Sequence, residues 1–278
     1  MATPKNQSVL KAFAMLKAFH SPNEWLTSCE LSRRAKLPAA SGYRLIQTLV
    51  EIGAVVRGAR GRYRPGMLLV SLSHNVAIGE LLHEASEDLT NALATRVNAT
   101  VHLGILEGGM VTYVSKASTP TSFPTHTRPG AQLEAYSSGL GKVLLAGLPY
   151  DQLESFIMDG DLVALTPYTI TDRTVLLEQL ERVRTLGFAV DDRESQADLR
   201  CVAVPVQDSD GRIVAALSAS DYAPHMTAER QAELLEALLE AAASLGQKVY
   251  RTGAPIKHVD LHPGVLVPSN AAPAQDLV

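Results

Sequence analysis

The chain reads as an α+β protein built from an N-terminal winged helix-turn-helix, a linker helix and a C-terminal antiparallel-sheet domain. Three observations predict this. At 278 residues it exceeds the usual size of one domain, so two units with separate cores are expected. Its charge is unevenly placed: residues 1–66 carry 4 Lys and 7 Arg against 3 Glu, a formal +8, which leaves −12 on the remainder of a chain whose net charge is −4. Helical apolar spacing with an arginine-rich hairpin marks the start, whereas apolar strands in hairpins, with amphipathic helices at their ends, mark the rest.

Composition narrows the class further. Hydrophobic residues make up 46% of the chain, yet no run of about eighteen apolar residues occurs, so no membrane span is expected. The opening "MATPKNQSVLKAF" lacks the apolar core and cleavage site of a signal peptide, and Cys29 and Cys201 lie far apart without metal-ligand spacing. A reducing cytoplasm, with no cofactor and no structural metal, is the simplest expectation. A basic first quarter on an acidic body points to nucleic acid as that quarter's partner; a solvated charged face is the alternative.

The first domain is expected over residues 6–66. In "SVLKAFAMLKAF", Val9, Phe13, Leu16 and Phe19 recur at helical spacing and define one face of an amphipathic helix, closed by His20, Ser21 and Pro22. "TSCELSRRA" announces a second helix: Thr27 followed by Glu30 has the capping-box pattern, with Leu31 and Ala35 on a buried face and Cys29 as buried filler. "KLPAASGYRLIQTLVEIG" supplies a turn at Leu37 and Pro38, then a third helix with an apolar side of Leu45, Ile46, Leu49, Val50 and Ile52 and a stop at Gly53. Near its start, Ala40, Ser41, Tyr43 and Arg44, with Ser28 of the preceding helix, form a small, hydrogen-bonding set suited to a major groove. In "AVVRGARGRYRP", two short strands at Val55 to Arg57 and Arg62 to Arg64 flank a tip at Gly58 to Gly61. Arg57, Arg60, Arg62 and Arg64 make this hairpin a wing for phosphates or a minor groove.

"MLLVSLSHNVAIGELLHEA" keeps helical spacing through Leu68, Leu69, Leu72, Val76 and Ile78 and predicts a linker helix over residues 67–83. It either packs on a partner chain's copy, giving two recognition helices for a palindromic operator, or docks on its own domains.

The second domain is expected over residues 84–250. Ala85, Leu89, Leu93 and Val97 predict a helix ended by Asn98, and "ATVHLGILEGGMVTYVSKA" a hairpin about Gly108 and Gly109. A short extended piece at Phe123 to His126, a helix from Gly139 to Leu148, and helices near Asp151 to Met158 and Asp172 to Leu186 follow. "GFAVDD" and "CVAVPVQDSDGRIVAALSAS" give three more strands, and a helix from Thr227 to Tyr250 closes the domain. This pattern resembles ligand-sensing folds of the GAF and PAS kind. Ser218 and Ser220 alternate with Leu217 and Ala219, so both hydroxyls share one sheet face; with Asp191 and Cys201 they can orient a small ligand, or they satisfy backbone groups internally. Residues 251–278 carry four prolines and no periodicity, which predicts a mobile tail in which His258 and His262, close to Pro263, make a poor metal pair.

Taken in order, "SVLKAFAMLKAF", "LPAASGYRLIQTLVEIG", "GRYRPG", "SSGLGKVLLAGLP", "GFAVDDRE" and "CVAVPVQDSDGRIVAALSAS" resemble the IclR family of bacterial transcription factors over Ser8 to Tyr250. The resemblance implies dimers, or dimers of dimers, on double-stranded promoter DNA and a small organic acid as effector. It places Gly139, Leu140, Asp191, Leu199, Cys201, Ser218 and Ser220 around that effector. The sequence departs from the family pattern at Asp198, where glycine is frequent, and at "AQLEAYSS".

"SSGLGKVLLAG" suggests a phosphate-binding loop, but Tyr136 stands where glycine is required and Val143 where a Mg²⁺-binding hydroxyl belongs. Gly139 and Gly141 are instead expected in a close-approach turn over the pocket, with Lys142 facing solvent or a neighbouring subunit. An enzyme would use Cys201 as nucleophile, His102 or His126 as base and Asp191 as orienter, and the same groups suggest zinc only weakly; a thiol inside an apolar strand is more usually inert.

Overall fold

A computed structural model describes residues 4–21 and 24–250. The chain divides into two compact units, with the boundary between Ala77 and Ile78. The tail expected over 251–278, with His258 and His262, lies outside the described residues.

In the first unit, helix α1 (Gln7–Lys17) begins where the Asn6 side chain accepts the Ser8 and Val9 amides at 3.0 and 3.3 Å. It buries Met15, with Ala12, Leu16 and Phe19 beside it. The expected stripe is therefore half wrong: Val9 and Phe13 point outward, Phe13 at 61% exposure. This helix is apolar on more than one side, and spacing alone does not choose the side that the core takes. Strand β1 (Leu26–Thr27) leads into α2 (Ser28–Arg34), where the capping box closes in both directions: Glu30 N–H donates to Thr27 Oγ1 at 3.2 Å and Thr27 N–H to the Glu30 carboxylate at 2.8 Å. Because α2 turns Leu31 and Ser32 inward, Cys29, two residues and some 200° from Leu31, is exposed rather than buried filler.

Helix α3 (Ala39–Glu51) crosses α2 closely. A Cβ at Gly42 would lie 2.0 Å from Ser32 Oγ, so the crossing needs glycine there. Ile46 and Leu49 are buried, whereas Ile52, already past the helix end, is 54% exposed and leaves the expected apolar side. Strands β2 (Val55–Arg57) and β3 (Arg62–Pro65) form the wing, and β1 adds to β3, giving the order β1-β3-β2. Helix α4 (Met67–Ser73) ends the unit.

The single helix expected over 67–83 is two, since α5 (Ile78–Val97) begins the second unit. The break at 74–77 has no Pro or Gly to announce it, and apolar spacing is in phase on both sides. Short polar side chains mark it instead: the Ser73 hydroxyl donates to the Val70 carbonyl at 2.8 Å and the Asn75 amide to the Ser71 carbonyl at 3.5 Å.

The second unit is built on a six-stranded antiparallel sheet. Its strands are β4 (Thr100–Glu107), β5 (Met110–Ala117), β6 (Gln132–Glu134), β7 (Ala189–Asp192), β8 (Leu199–Gln207) and β9 (Ile213–Tyr222), in the order β6-β5-β4-β9-β8-β7. Helices α5 and α9 (Ala228–Tyr250) cover one face through Leu93, Val97, Leu234, Leu238 and Leu245. Helices α6 (Gly139–Ala146), α7 (Tyr150–Met158) and α8 (Arg173–Leu186) pack through Leu145, Ile157, Leu176 and Leu180 into a second core on the other. The extended piece expected at Phe123 to His126 is loop, and the short strand lies later, at β6. Side chains satisfy that loop where a neighbouring strand would: the Thr100 hydroxyl donates to the Phe123 carbonyl at 2.8 Å, and Lys116 Nζ to the Thr125 and Thr127 carbonyls at 2.7 and 2.9 Å.

Strand register sets the next level. Thr100, Ser220, Cys201 and Asp191 lie side by side across β4, β9, β8 and β7, and His102, Ser218, Ala203 and Ala189 form the neighbouring row. Period-two alternation puts both rows on the face that α6 covers.

Candidate functional site

The first unit presents the expected reading face. Ala40, Tyr43 and Arg44 are exposed and Ser41 half-buried at the start of α3, with Ser28 half-buried at the start of α2. On the wing, Arg57 and Arg60 are exposed, Arg60 in the left-handed region (φ 56°) at the hairpin tip. Arg62 and Arg64 are exposed too, but both are tied to Trp25: Arg62 donates to its carbonyl at 3.2 Å, and the Arg64 guanidinium sits 5.0 Å over its ring. Trp25, which no sequence pattern singled out although it is the chain's one tryptophan, thus braces the wing.

In the second unit, Gly139, Leu140, Asp191, Leu199, Cys201, Ser218 and Ser220 all line one cavity of about 240 Å³ under the start of α6. The structure brings together every residue expected there. It adds His102, Tyr113, Thr125, His126, Thr127, Gln132, Ser195 and Gln196, which come from β4, β5, the loop before β6, the start of β6 and the turn after β7. Of these, the sequence singles out His102 and His126, as the candidate bases of the enzyme reading. The loop residues are placed by the Thr100 and Lys116 hydrogen bonds, which spacing cannot show.

Helix α6 approaches the sheet closely. A Cβ at Gly139 would stand 2.8 Å from Cys201 Sγ, so glycine leaves the cavity open; one at Gly141 would stand 2.0 Å from the Ala135 carbonyl oxygen, away from the cavity. The two glycines therefore serve different contacts, and the expectation that both line the pocket holds for Gly139 alone. The Ser138 hydroxyl caps α6 by accepting the Gly141 amide at 3.1 Å.

Burial governs the titratable groups of the cavity wall. Burial, reinforced by the Lys116 charge, pulls the His102 imidazole down to about 3, so the ring is neutral, with Nε2 held to Thr127 Oγ1 at 2.6 Å. Burial also pushes the Cys201 thiol up to about 12, with the nearby Asp191 carboxyl acting the same way, and raises the Tyr113 phenol. Burial raises Asp191 against the opposing effect of its hydrogen bonds: Oδ1 accepts the Glu194 amide at 2.7 Å and Oδ2 the Ser195 hydroxyl at 2.5 Å.

Lys142 faces neither solvent nor another subunit. It is 1% exposed, and its Nζ bonds Glu194 Oε1 at 2.5 Å and the Val190 carbonyl at 3.3 Å. This removes it as a phosphate-binding lysine. Tyr136 is committed as well, its hydroxyl donating to the Val163 carbonyl and accepting the Val163 amide, both at 2.9 Å.

The enzyme alternative fares no better. Cys201 stays protonated at neutral pH, the His102 ring is bonded to Thr127, and Asp191 is bonded to Ser195 and the Glu194 amide, so Cys201, His102 and Asp191 do not form a nucleophile, base and orienter in series. Among the described residues no group of three His, Cys, Asp or Glu side chains is placed to hold a metal ion, and no helix is long and apolar enough to cross a membrane.

Known proteins share this architecture. The family model for the IclR helix-turn-helix domain matches residues 8–59, and that for the bacterial transcriptional regulator IclR C-terminal domain matches residues 75–247. The chain is 30% identical over 245 residues to the HTH-type transcriptional regulator XynR of Escherichia coli, covering 88% of this chain and 97% of that one. The crystal structure of the Thermotoga maritima IclR superposes with a TM-score of 0.58 at 29% identity, over 87% of this chain and 98% of that one. An IclR homolog from Microbacterium hydrocarbonoxydans, crystallised in complex with 4-hydroxybenzoate, shares the fold at 24% identity and a TM-score of 0.58, over 88% of this chain and 100% of that one. Helix-turn-helix, curled antiparallel sheet and end-to-end similarity to known regulators agree, and the chain belongs to the IclR family of bacterial transcriptional regulators.

Proposed function

We propose that this regulator reads promoter DNA with Ala40, Ser41, Tyr43 and Arg44 of α3 and Ser28 of α2, with Arg57, Arg60 and Arg62 of the wing on the phosphates alongside. A small organic acid seated among Gly139, Leu140, Asp191, Leu199, Cys201, Ser218 and Ser220 changes its affinity for that DNA. The observation that carries the reading is the cavity: a partly enclosed site lined by hydroxyls, side-chain amides, aromatic and imidazole rings and one buried carboxyl is built into the same chain as a basic helix-turn-helix. Among the described residues no Lys or Arg lines it, so a carboxylate is held by neutral donors, the first amides of α6 and the Ser218 and Ser220 hydroxyls. The 4-hydroxybenzoate bound by the Microbacterium homolog belongs to this ligand class.

Residues 6–66 form the reader, 67–83 the connection and 84–250 the effector domain in this proposal, working in the cytoplasm where promoter and metabolite meet. The active species is a homodimer or a dimer of dimers. Support comes from apolar side chains left exposed on α1 and α4, Val9, Leu10, Phe13, Met67, Val70 and Leu72, and from the need of a palindromic operator for two recognition helices. An effector with unequal affinity for two dimer arrangements shifts their populations and thereby the operator affinity.

Arg44→Ala tests the reader. On a promoter fragment that the wild type binds in preference to competitor DNA, the variant is expected to lose about ten- to a hundredfold in affinity, the worth of one good base contact. Unchanged affinity, measured by fluorescence anisotropy at fixed salt, overturns the assignment of α3.

A further inference from the structure

Behind the cavity wall lies an unbalanced buried charge cluster. Asp191, Glu194 and Lys142 are each 1% exposed, and they bring two carboxyls against one amine. Asp191 lines the cavity itself; Lys142 is one turn along α6 from Gly139; and Glu194 opens the turn that carries Ser195 and Gln196 to the cavity rim. The carboxyls differ in how they are held. Both Asp191 oxygens accept hydrogen bonds, whereas among the described residues Glu194 accepts only at Oε1, from Lys142 Nζ at 2.5 Å and the Asp192 amide at 3.4 Å, and its buried Oε2 has no partner there.

The other charged and titratable groups facing this cluster do not balance it. Asp192, on the next strand position, is paired with Arg193 and Arg200 at 3.0 and 3.1 Å, and the Arg193 guanidinium lies 3.9 Å over the Tyr168 ring. From the loop before α8, the Thr166 hydroxyl donates to the Arg193 carbonyl and the Thr169 hydroxyl to the Glu194 carbonyl, both at 2.7 Å, so they meet backbone oxygens of this turn. On the cavity side stand Cys201 and Tyr113, both kept neutral, and His102, with Lys116 turned to the loop carbonyls. A carboxylate entering beside Asp191 adds a third negative group to a water-poor region that holds one matching amine.

We propose that a carboxylate effector enters this cavity together with a proton from solvent, taken up by the Asp191–Glu194 pair with Glu194 Oε2 as its seat, so that the regulator senses acid concentration and pH jointly. The inference rests on the acid-effector reading of the cavity. It is consistent with burial lifting the Glu194 carboxyl to about 7, which leaves it part-ionised and able to accept a proton near neutrality.

Isothermal titration calorimetry of the full chain tests it, with benzoate, 4-hydroxybenzoate, pyruvate and lactate as probes, each in phosphate, HEPES and Tris near pH 7.5. For any probe giving saturable heat, the enthalpy is expected to rise linearly with buffer ionisation enthalpy, with a slope approaching about one proton taken up, and affinity to weaken by up to about tenfold per pH unit above neutrality. E194Q abolishes the slope. Since E194Q leaves Lys142 without its carboxylate, K142M/E194Q removes both partners, and circular dichroism checks that each variant is folded. Saturable heat with zero slope in the wild type overturns proton uptake and leaves the effector reading standing. A slope that survives in both folded variants overturns Glu194 as the acceptor. No saturable heat from any of the four acids overturns the acid-effector reading and this inference with it.

Discussion

His102→Gln isolates what a buried neutral imidazole contributes at the floor of the cavity. The ring titrates at about 3 in the folded protein against 6.5 for a free imidazole, burial being the main cause and the Lys116 charge the second. The unfolded chain therefore takes up this proton first as pH falls. Stability is complete above pH 6.5 and is lost on acidification toward 3. One pKa unit is worth about 1.4 kcal/mol, so between about pH 7.5 and pH 5 this one ring withdraws about 2 kcal/mol from the second unit. Gln can still bond the Thr127 hydroxyl but does not titrate, so the wild type's advantage over the variant should shrink by that amount across the interval. Glu194 acts oppositely: its carboxyl, raised from 4.5 to about 7, is protonated first in the folded state, so its contribution falls as pH rises through that window. It is present in both proteins and cancels in their difference. Hydrogen exchange of the β4 and β5 amides, corrected for the intrinsic rate at each pH, reads the effect in the unit that holds the ring. A wild-type-minus-variant difference that does not change with pH refutes the argument that the ring is buried and neutral.

Three further outcomes follow from the same geometry. Ser218→Ala and Ser220→Ala should each weaken a bound carboxylate by about 0.5–1.5 kcal/mol, about five- to 150-fold together, measured by calorimetry with the acid that gives saturable heat; unaltered affinity removes the hydroxyls from the site. Gly42→Ala should cost the first unit about 1–2 kcal/mol through its clash with Ser32, and Ser32→Gly should recover most of it, because removing the Ser32 side chain clears both close contacts at 2.0 and 2.9 Å; Trp25 fluorescence during urea unfolding reads this unit alone, and a neutral Gly42→Ala contradicts the tight α2–α3 crossing. Arg60→Gln should weaken promoter binding evenly across sequences and lower the salt slope by about 1, whereas a selective loss on one sequence means base readout instead of phosphate contact.

Local chemistry made much of the fold readable. Thr27 and Glu30 cap α2 as their spacing requires, Gly108 and Gly109 turn the β4–β5 hairpin, and the alternation about Ser218 puts both serines on one face. The failures have two causes. Val9 and Phe13 belong to a helix with apolar residues on more than one side, Cys29 to a helix whose inward side a neighbour selects, and the break at 74–77 to a stretch whose apolar phase never lapses. For Val9, Phe13 and Cys29 the deciding interaction is with an element elsewhere in the chain, for which periodicity contains no term; at 74–77 it is local, the Ser73 and Asn75 side chains bonding the Val70 and Ser71 carbonyls.

The cavity divides along the same line. Its small and hydroxylic residues were legible because a pocket under a helix needs them: Gly139 must clear Cys201, and Ser218 and Ser220 alternate in a strand whose other positions are apolar. Its charge state was not. Lys142 sits in "GLGKVLLAG", a helix apolar on every other side, which by itself implies burial and hence a partner for the amine. That partner is Glu194, 52 residues later, in the turn that also carries Ser195 and Gln196 to the rim. Spacing identifies the cation, and only the β7 register supplies the carboxyl. The glycine turn that resembled a nucleotide loop thus does two things one helical turn apart: Gly139 opens the cavity, and Lys142 ties the helix to the acidic pair behind it. A ligand pressing on the start of α6 therefore acts on a buried ion pair as well as on a wall of side chains, which is the physical route by which occupancy and protonation become one equilibrium.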